Sequence, residues 1–224
     1  MPARFRIAMF LAALILGMAW ATPHAAAAPL KDVFADRANT VEFPAQDARF
    51  VRFVIRGASG GGQPCVDELE VYGPGSETNL ALADAGAQPS ASSCLPGYPD
   101  HSIAHLNDGK YGNDKSWIAA GTGEEWAQIE LPKAVTVNRV VFSRDRNRYY
   151  ADRMPTDIEV LLSQDGQAWT SVAKVSATAG PVALRSRSNA ASGLVPSPPP
   201  PPEAAAYRSD PEPDQLKDAF LAEE

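Results

Sequence analysis

The feature that most constrains this chain is a repeated alternation of apolar and polar residues in short stretches. Residues 51–56, 68–72, 126–131 and 157–162 each place apolar side chains at every second position, with Gly, Pro, Asn and Asp between the stretches. Alternation of this kind is typical of strands with one buried face. No stretch from 41 to 175 keeps a helical period. The pattern therefore predicts an all-β fold built as an antiparallel sandwich.

Two further expectations follow from the pattern inside this region. Val135, Val137 and Val141 are expected on one strand face, interrupted by Arg139. The dipeptide Asp165-Gly166 stands between two strand candidates, and it predicts a β-hairpin.

The two ends of the chain differ from its middle. Arg4 and Arg6 precede an apolar run and an Ala-rich exit, so residues 1–28 are predicted to be a secretory signal peptide. The run is shorter than the ~20 residues that span a bilayer, although a retained anchor is the alternative. Residues 29–40 are expected to be a charged lead-in. Residues 177–224 form a predicted Pro-rich, mostly disordered tail, which would space the domain from a partner or from a catalytic domain that has been lost.

Export sets the expectations for location, charge and cysteines. The protein is predicted to be secreted, periplasmic or attached to the cell surface, and not integral to the membrane once the signal is cleaved. The formal charge of −7 disfavours nucleic acid and anionic lipid as partners. Cys65 and Cys94 fit one disulfide in an exported protein, and two free thiols are the alternative. Closing a loop of about 30 residues would contribute ~3–4 kcal/mol.

Several motifs are similar to those of one family, in an unusual order. The motifs typical of the start of the family domain are Asn79–Asp84, Ala91–Ser93, Leu106–Gly109, Ser116-Trp117, Trp126–Leu131 and Ser163–Trp169, whereas those typical of its end are Arg49–Arg56 and Asp67–Gly73. Together they resemble a discoidin domain, the coagulation factor V/VIII C-type module with a galactose-binding-like fold. The resemblance implies one circularly permuted jelly-roll β-sandwich of about eight antiparallel strands over residues 41–176. It looks most like modules at the front of large exported bacterial proteins.

The resemblance also implies a structural calcium site. Calcium prefers six to eight oxygen ligands, carboxylates mixed with carbonyls. In this sequence the family pattern maps onto the carboxylates of Asp108 and Glu68 and onto the carbonyls of Asp67, His105 and Lys110. Ser116 would replace the Thr that the family places before the Trp. The loop from 108 to 117 is about two residues longer than in the family, and Asp108-Gly109 as a plain turn is the alternative.

A ligand site is expected in the loops at one end of the sandwich. In sugar-binding relatives a His, an Arg and an Asn from these loops bind the sugar, and here His101, Arg144 and Asn147 match by position and type. Tyr98, Tyr149 or Tyr150 would stack against the apolar face of the sugar ring. The competing interpretation is that Arg144 and its neighbouring arginines pair with Asp145, Asp152 and Asp157 on a solvated loop.

The family rarely does chemistry, and the residues point the same way. Glu124 and Glu125 adjoin a strand and are expected to face solvent rather than act as a catalytic pair, and no nucleophile motif accompanies either remaining His. Trp117, Trp126 and Trp169 are expected in the core. The prediction is a non-catalytic extracytoplasmic module that binds a carbohydrate such as a cell-surface glycan. The alternatives are a protein-interaction or scaffolding module and a membrane-surface binder.

Overall fold

A computed structural model describes residues 30–185, which form ten β-strands and four short 3₁₀ turns. The strands are β1 Asp32–Val33, β2 Asn39–Ala58, β3 Cys65–Val66, β4 Glu68–Tyr72, β5 Gln88–Ala91, β6 Trp117–Ile118, β7 Glu125–Ser143, β8 Pro155–Ser163, β9 Thr170–Ser176 and β10 Thr178–Ala179. The turns are Ser59–Gly61, Ala83–Ala85, Ile103–Leu106 and Asn113–Lys115. No helix in this part of the chain is long and apolar enough to cross a bilayer. The predicted signal peptide and polyproline run lie outside the described residues.

Six strands form one antiparallel sheet around the two longest ones. The order is β4-β7-β2-β8-β9, and β5 pairs with the first part of β7 while β4 pairs with its second part. Register shifts between Glu42 and Gln46 and between Ala48 and Phe50 divide the ladder that joins β2 to β7. Such irregularities bend a long strand, so one strand can contribute to both layers of a sandwich. The all-β sandwich predicted from the alternation is confirmed.

One hydrophobic core fills the sandwich, and the alternating residues supply it as predicted. Val51, Phe53 and Ile55 of β2 are at most 1 % exposed, and they pack with inward residues of β4, β7 and β8. The predicted hairpin also forms, since β8 and β9 are antiparallel neighbours on either side of Asp165-Gly166.

Two of the three tryptophans and one valine depart from their predicted places. Trp117 is fully buried, but Trp126 and Trp169 are only half-buried. Their rings lie on either side of the Arg52 guanidinium, whose carbon is 4.4 Å and 4.0 Å from the two ring centres. In the second half of β7, Val140 rather than Val141 joins the core cluster.

The strands reach slightly beyond the predicted limits of 41 and 176. β1 lies within the predicted lead-in, and it pairs in parallel with β10, which lies at the start of the predicted tail. In the main sheet β2 lies between β7 and β8 although it precedes both along the chain. This is the order expected of a permuted domain, and circular permutation itself stays a prediction.

The predicted disulfide is absent, because Cys65 and Cys94 are free thiols. Cys65 is paired in register with Ile118 of β6, and the backbone N–H of Leu95, next to Cys94, donates to the carbonyl of the same Ile118. The backbone of β6 therefore lies between the two cysteine-bearing segments. A disulfide needs Cα atoms about 4.4–6.8 Å apart, less than the ~9 Å that separates strands on either side of a third.

Candidate ligand-binding cleft

A cleft of about 340 Å³ opens where the loops around residues 95–101, 113 and 144–153 meet. Its lining residues are Gln63, Leu95, Tyr98, His101, Asn113, Ile118, Arg144, Tyr150, Asp152 and Arg153. Four of the six residues proposed from sequence as ligand contacts are therefore brought together. Two segments that are distant along the chain supply them, residues 98–101 and residues 144–150.

Arg144 forms a wall of the cleft, although it is only 1 % exposed. Its Nε donates to the carbonyl of Asp152 at 2.8 Å, its Nη2 to the Asp152 carboxylate at 3.0 Å, and its Nη1 to Asn113 Oδ1 at 2.9 Å. The guanidinium also lies over the Tyr150 ring, 5.2 Å from its centre. These contacts fix the orientation of a buried cation, which is then presented to the cleft in one geometry.

A hydrogen bond to Ser116 fixes the orientation of the His101 ring. The Ser116 hydroxyl donates to the Asn113 carbonyl at 2.6 Å, so its oxygen is left to accept from His101 Nδ1 at 3.0 Å. A neutral imidazole protonated at Nδ1 has its lone pair at Nε2. Burial lowers the pKa of His101, and the positive charges of Arg144 and Arg153 lower it further.

Tyr98 gives the cleft an exposed aromatic surface. The side chain is 49 % exposed, and its ring centre lies 6.2 Å from that of His101 with the planes tilted by 38°. An accessible ring beside fixed donors and acceptors can cover the apolar face of a ligand while polar groups bind its edge.

Asp145 organises the loop that carries Arg144, Tyr150 and Asp152. Its side chain is fully buried, and it accepts hydrogen bonds from the backbone N–H groups of Asn147 at 3.0 Å and of Tyr149 and Tyr150 at 2.8 Å. In the competing interpretation of the sequence, Asp145 is an ion-pair partner of the arginines. Its role in the structure is instead to cap the turn, as Asp side chains do in loops.

Asp67 ties this loop to its neighbour. One carboxylate oxygen accepts from the backbone N–H groups of Gly112 and Arg146, both at 3.0 Å, and the other accepts from the Ser143 hydroxyl. Burial raises the pKa of Asp67, and these hydrogen bonds oppose the rise. Sequence reasoning had used only the carbonyl of Asp67, because nothing in a single sequence shows which loops a buried carboxylate reaches.

Asn147 and Tyr149, the other two predicted ligand residues, do not line the cleft. The Asn147 amide donates to the Tyr111 carbonyl at 3.1 Å, and it packs so closely on Gly112 that a Cβ at that position would overlap it. Tyr149 is 39 % exposed outside the cleft. Asn113 takes the place predicted for Asn147 as the amide beside Arg144. Nothing in the sequence around Asn113 indicated that it would reach this arginine.

The predicted cation loop brings together the carboxylates of Glu68 and Asp108. Glu68 is fully buried, and both of its oxygens are 3.2 Å from a single donor, the N–H of Gly109. Asp108 accepts from the N–H of Lys110 at 2.9 Å and lies 2.7 Å from Nδ1 of His105. Burial raises the pKa of Glu68 to about 9, and the negative charges of Asp108 and Glu70 add to the effect.

The donors present here fit a hard cation in part. Two carboxylates and nearby backbone carbonyls have the chemistry that calcium prefers. The buried Glu68 carboxylate has a single N–H donor for its two oxygens, so a bound cation would supply the positive charge that balances it. No group of three or more His, Cys, Asp or Glu side chains within residues 30–185 is arranged around a common metal position. The predicted ligand Ser116 has its hydroxyl bound to His101 and Asn113 and so belongs to the cleft.

Glu125 also departs from its predicted exposure. It is buried, and its carboxylate accepts from the hydroxyls of Ser92 and Ser93 and from the N–H of Gly121. It thereby fixes the loop that precedes β7.

Comparison with known proteins agrees with this architecture. Residues 88–191 match the family model for the F5/8 type C domain. This stretch, a little under half of the chain, is similar to an F5/8 type C domain. F5/8 type C domains are generally non-catalytic modules that bind carbohydrate, lipid or protein, and the similarity favours a binding module. A search of curated proteins finds no significant match. The matched residues begin at β5, whereas β2 and β4 precede the match and still pair with β7.

Proposed function

We propose that the protein is a carbohydrate-binding module that works outside the cytoplasm and recognises its glycan in the cleft between Tyr98 and Arg144. The observation that carries the proposal is the grouping of an exposed ring, a neutral imidazole and a buried guanidinium in one cleft of about 340 Å³. Export is proposed from the basic, apolar and Ala-rich character of residues 1–28.

The cleft has the polarity that a sugar requires. Each hydroxyl of a pyranose both donates and accepts, so a neighbouring hydroxyl pair matches a fixed acceptor beside a fixed donor. His101 Nε2 is the acceptor, and the remaining N–H groups of Arg144 are donors. The ring of Tyr98 would cover the C–H face of the sugar, which needs an apolar partner. The three together favour a sugar over a purely apolar ligand.

The proposal includes a structural calcium ion at Glu68 and Asp108. When bound, the ion would neutralise these carboxylates and tie the 105–110 loop to β4. Asp67 adjoins Glu68 and holds two cleft loops by hydrogen bonds, so order at the cation loop supports the cleft.

Glycan-array binding of the full chain, with calcium and with chelator, tests the function. His101→Ala and Tyr98→Ala should each abolish selective binding. Tyr149→Ala is the matched control, since this tyrosine is similarly exposed but does not line the cleft. Thermal unfolding of every variant establishes that it is folded.

Binding that survives both cleft substitutions would show that the glycan binds elsewhere. No selective binding by the folded, calcium-loaded chain would overturn the carbohydrate proposal and turn attention to protein or lipid partners. Calcium itself is tested separately by titration of the chain with the ion, where Glu68→Gln should remove binding. The mass of the chain recovered from outside the cell tests cleavage after residue 28 or nearby.

A further inference from the structure

The cleft carries more positive than negative charge. The guanidinium groups of Arg144 and Arg153 line it, and of its ten lining residues only Asp152 carries a carboxylate. Both arginines contribute to the lowered pKa of His101, which places the imidazole in a positive potential. Asp100 opposes this at His101, but it does not line the cleft. A net positive cleft contrasts with a chain whose formal charge is −7.

Asp152 holds its carboxylate between the two arginines. One oxygen is 3.0 Å from Arg144 Nη2 and the other is 3.3 Å from Arg153 Nε. The Asp152 side chain is 56 % exposed, whereas that of Arg144 is 2 % exposed. The carboxylate therefore lies at the mouth of the cleft, where a carboxylate from outside could compete for the same donors.

The two guanidinium groups retain donors for such a ligand. Three of the five N–H groups of Arg144 have partners among the described residues, and two of the five of Arg153 do, with Asp152 and with Gln63. A guanidinium presents a planar fork that matches a planar carboxylate better than it matches single hydroxyls. Arg153 is also held at φ 59°, a region that residues other than glycine rarely adopt and that fixes where its side chain starts.

We propose that the glycan is acidic, and that a carboxylate on its sugar ring binds between Arg144 and Arg153 at the place now taken by the Asp152 carboxylate. The inference rests on the proposed function and names the class of sugar, a uronic acid or another carboxylated sugar. Asp152 then acts as an internal competitor that the ligand displaces from the two arginines.

Paired saccharides test this directly on the full chain. Oligosaccharides that contain uronic acids are compared with their carboxyl-reduced forms, which differ only in the charged group, and a sulfated set is run beside them. The carboxylated form should bind about tenfold tighter or more, since a charge-assisted hydrogen bond contributes that much. Its affinity should fall as salt rises, because screening weakens exposed charge pairs.

Two substitutions separate this inference from other roles of the same residues. Arg153→Gln should weaken the carboxylated form and leave its carboxyl-reduced partner unchanged. Asp152→Asn removes the competitor, and it should tighten the carboxylated form several-fold. Arg148→Gln is the control, since Arg148 belongs to the same loop but does not line the cleft.

Each outcome decides one point. Equal or tighter binding of the neutral forms at a cleft sensitive to His101→Ala would keep the proposed function and overturn the acidic-glycan inference. Preference for the sulfated set over the carboxylated set, or weaker carboxylate binding in Asp152→Asn, would also overturn it. No binding of any saccharide by the folded chain would overturn both proposals.

Discussion

Asp145→Asn should destabilise the domain and loosen the cleft, although Asp145 does not line the cleft. The wild-type carboxylate accepts three backbone N–H groups, one at Oδ1 and two at Oδ2. An asparagine that keeps its oxygen towards Tyr149 and Tyr150 must turn its NH₂ group towards the N–H of Asn147. One hydrogen bond is then replaced by two opposed donors, and the other two bonds lose the assistance of a charge.

The expected size follows from these losses. A hydrogen bond to a charged group contributes about 1.5–3 kcal/mol and a neutral one about 0.5–1.5 kcal/mol. The loop can relax towards water and recover part of this, so the free energy of unfolding should fall by about 2–4 kcal/mol. With an m-value of about 2 kcal/mol per molar urea, the unfolding midpoint moves down by about 1–2 M.

The assay is urea unfolding followed by tryptophan fluorescence, together with glycan affinity at the cleft. Asp165→Asn is the matched control, since Asp165 also accepts backbone N–H groups, from Gln167 at 2.8 Å and Ala168 at 2.9 Å, but on the exposed hairpin. Its effect should be clearly smaller than that of Asp145→Asn. An Asp145→Asn midpoint within error of the wild type, with unchanged glycan affinity, would refute the assignment of Asp145 as the organiser of this loop.

Three other predictions use the buried and strained groups. In chelator, the pKa of Glu68 is about 9 in the folded chain against an ordinary 4.5, so the folded state binds a proton that the unfolded state releases. The free energy of unfolding should therefore fall as pH rises from about 4.5 to about 9. Urea midpoints of Glu68→Gln should lack that dependence on pH. Cys94 should react with a maleimide before Cys65, because burial raises the pKa of Cys65 to about 11, and an intact mass showing a disulfide would contradict both thiols being free. Arg148 has φ 67°, so Arg148→Gly should leave the free energy of unfolding unchanged or raise it by up to about 1 kcal/mol. Urea unfolding measures this, and a clear loss of stability would show that the Arg148 side chain matters.

The strands and the general place of the cleft could be predicted because they depend on local patterns. Alternation places Phe53 in the core whatever its partners are, and loops that follow neighbouring strands bring His101 and Arg144 to one end. Trp126 and Trp169 were misplaced for a physical reason. A tryptophan on the outer face can bury half its surface against an arginine, as both of these do against Arg52.

The finer composition of the cleft depends on contacts between distant loops. Asn113 reaches Arg144 because Asp67 and Gly112 bring two loops together, and no spacing in the sequence encodes that approach. The missing disulfide has the same origin, since Cys65 and Cys94 are at one end of the sandwich but β6 lies between them. Calcium and the glycan stay predictions, which the experiments above address.

The position of β2 has a consequence for how the domain can be divided. Residues 88–191 are the part that matches the family, but the strand between β7 and β8 comes from residues 39–58. A fragment cut at residue 88 would therefore lose a central strand and not an edge, leaving two unsatisfied ladders that face each other across a gap. A strand from another molecule could pair in this gap, so the part of the domain that matches the family would by itself be prone to aggregation. In the intact chain β2 is synthesised before β7 and β8, so it stays unpaired until both of these strands are available.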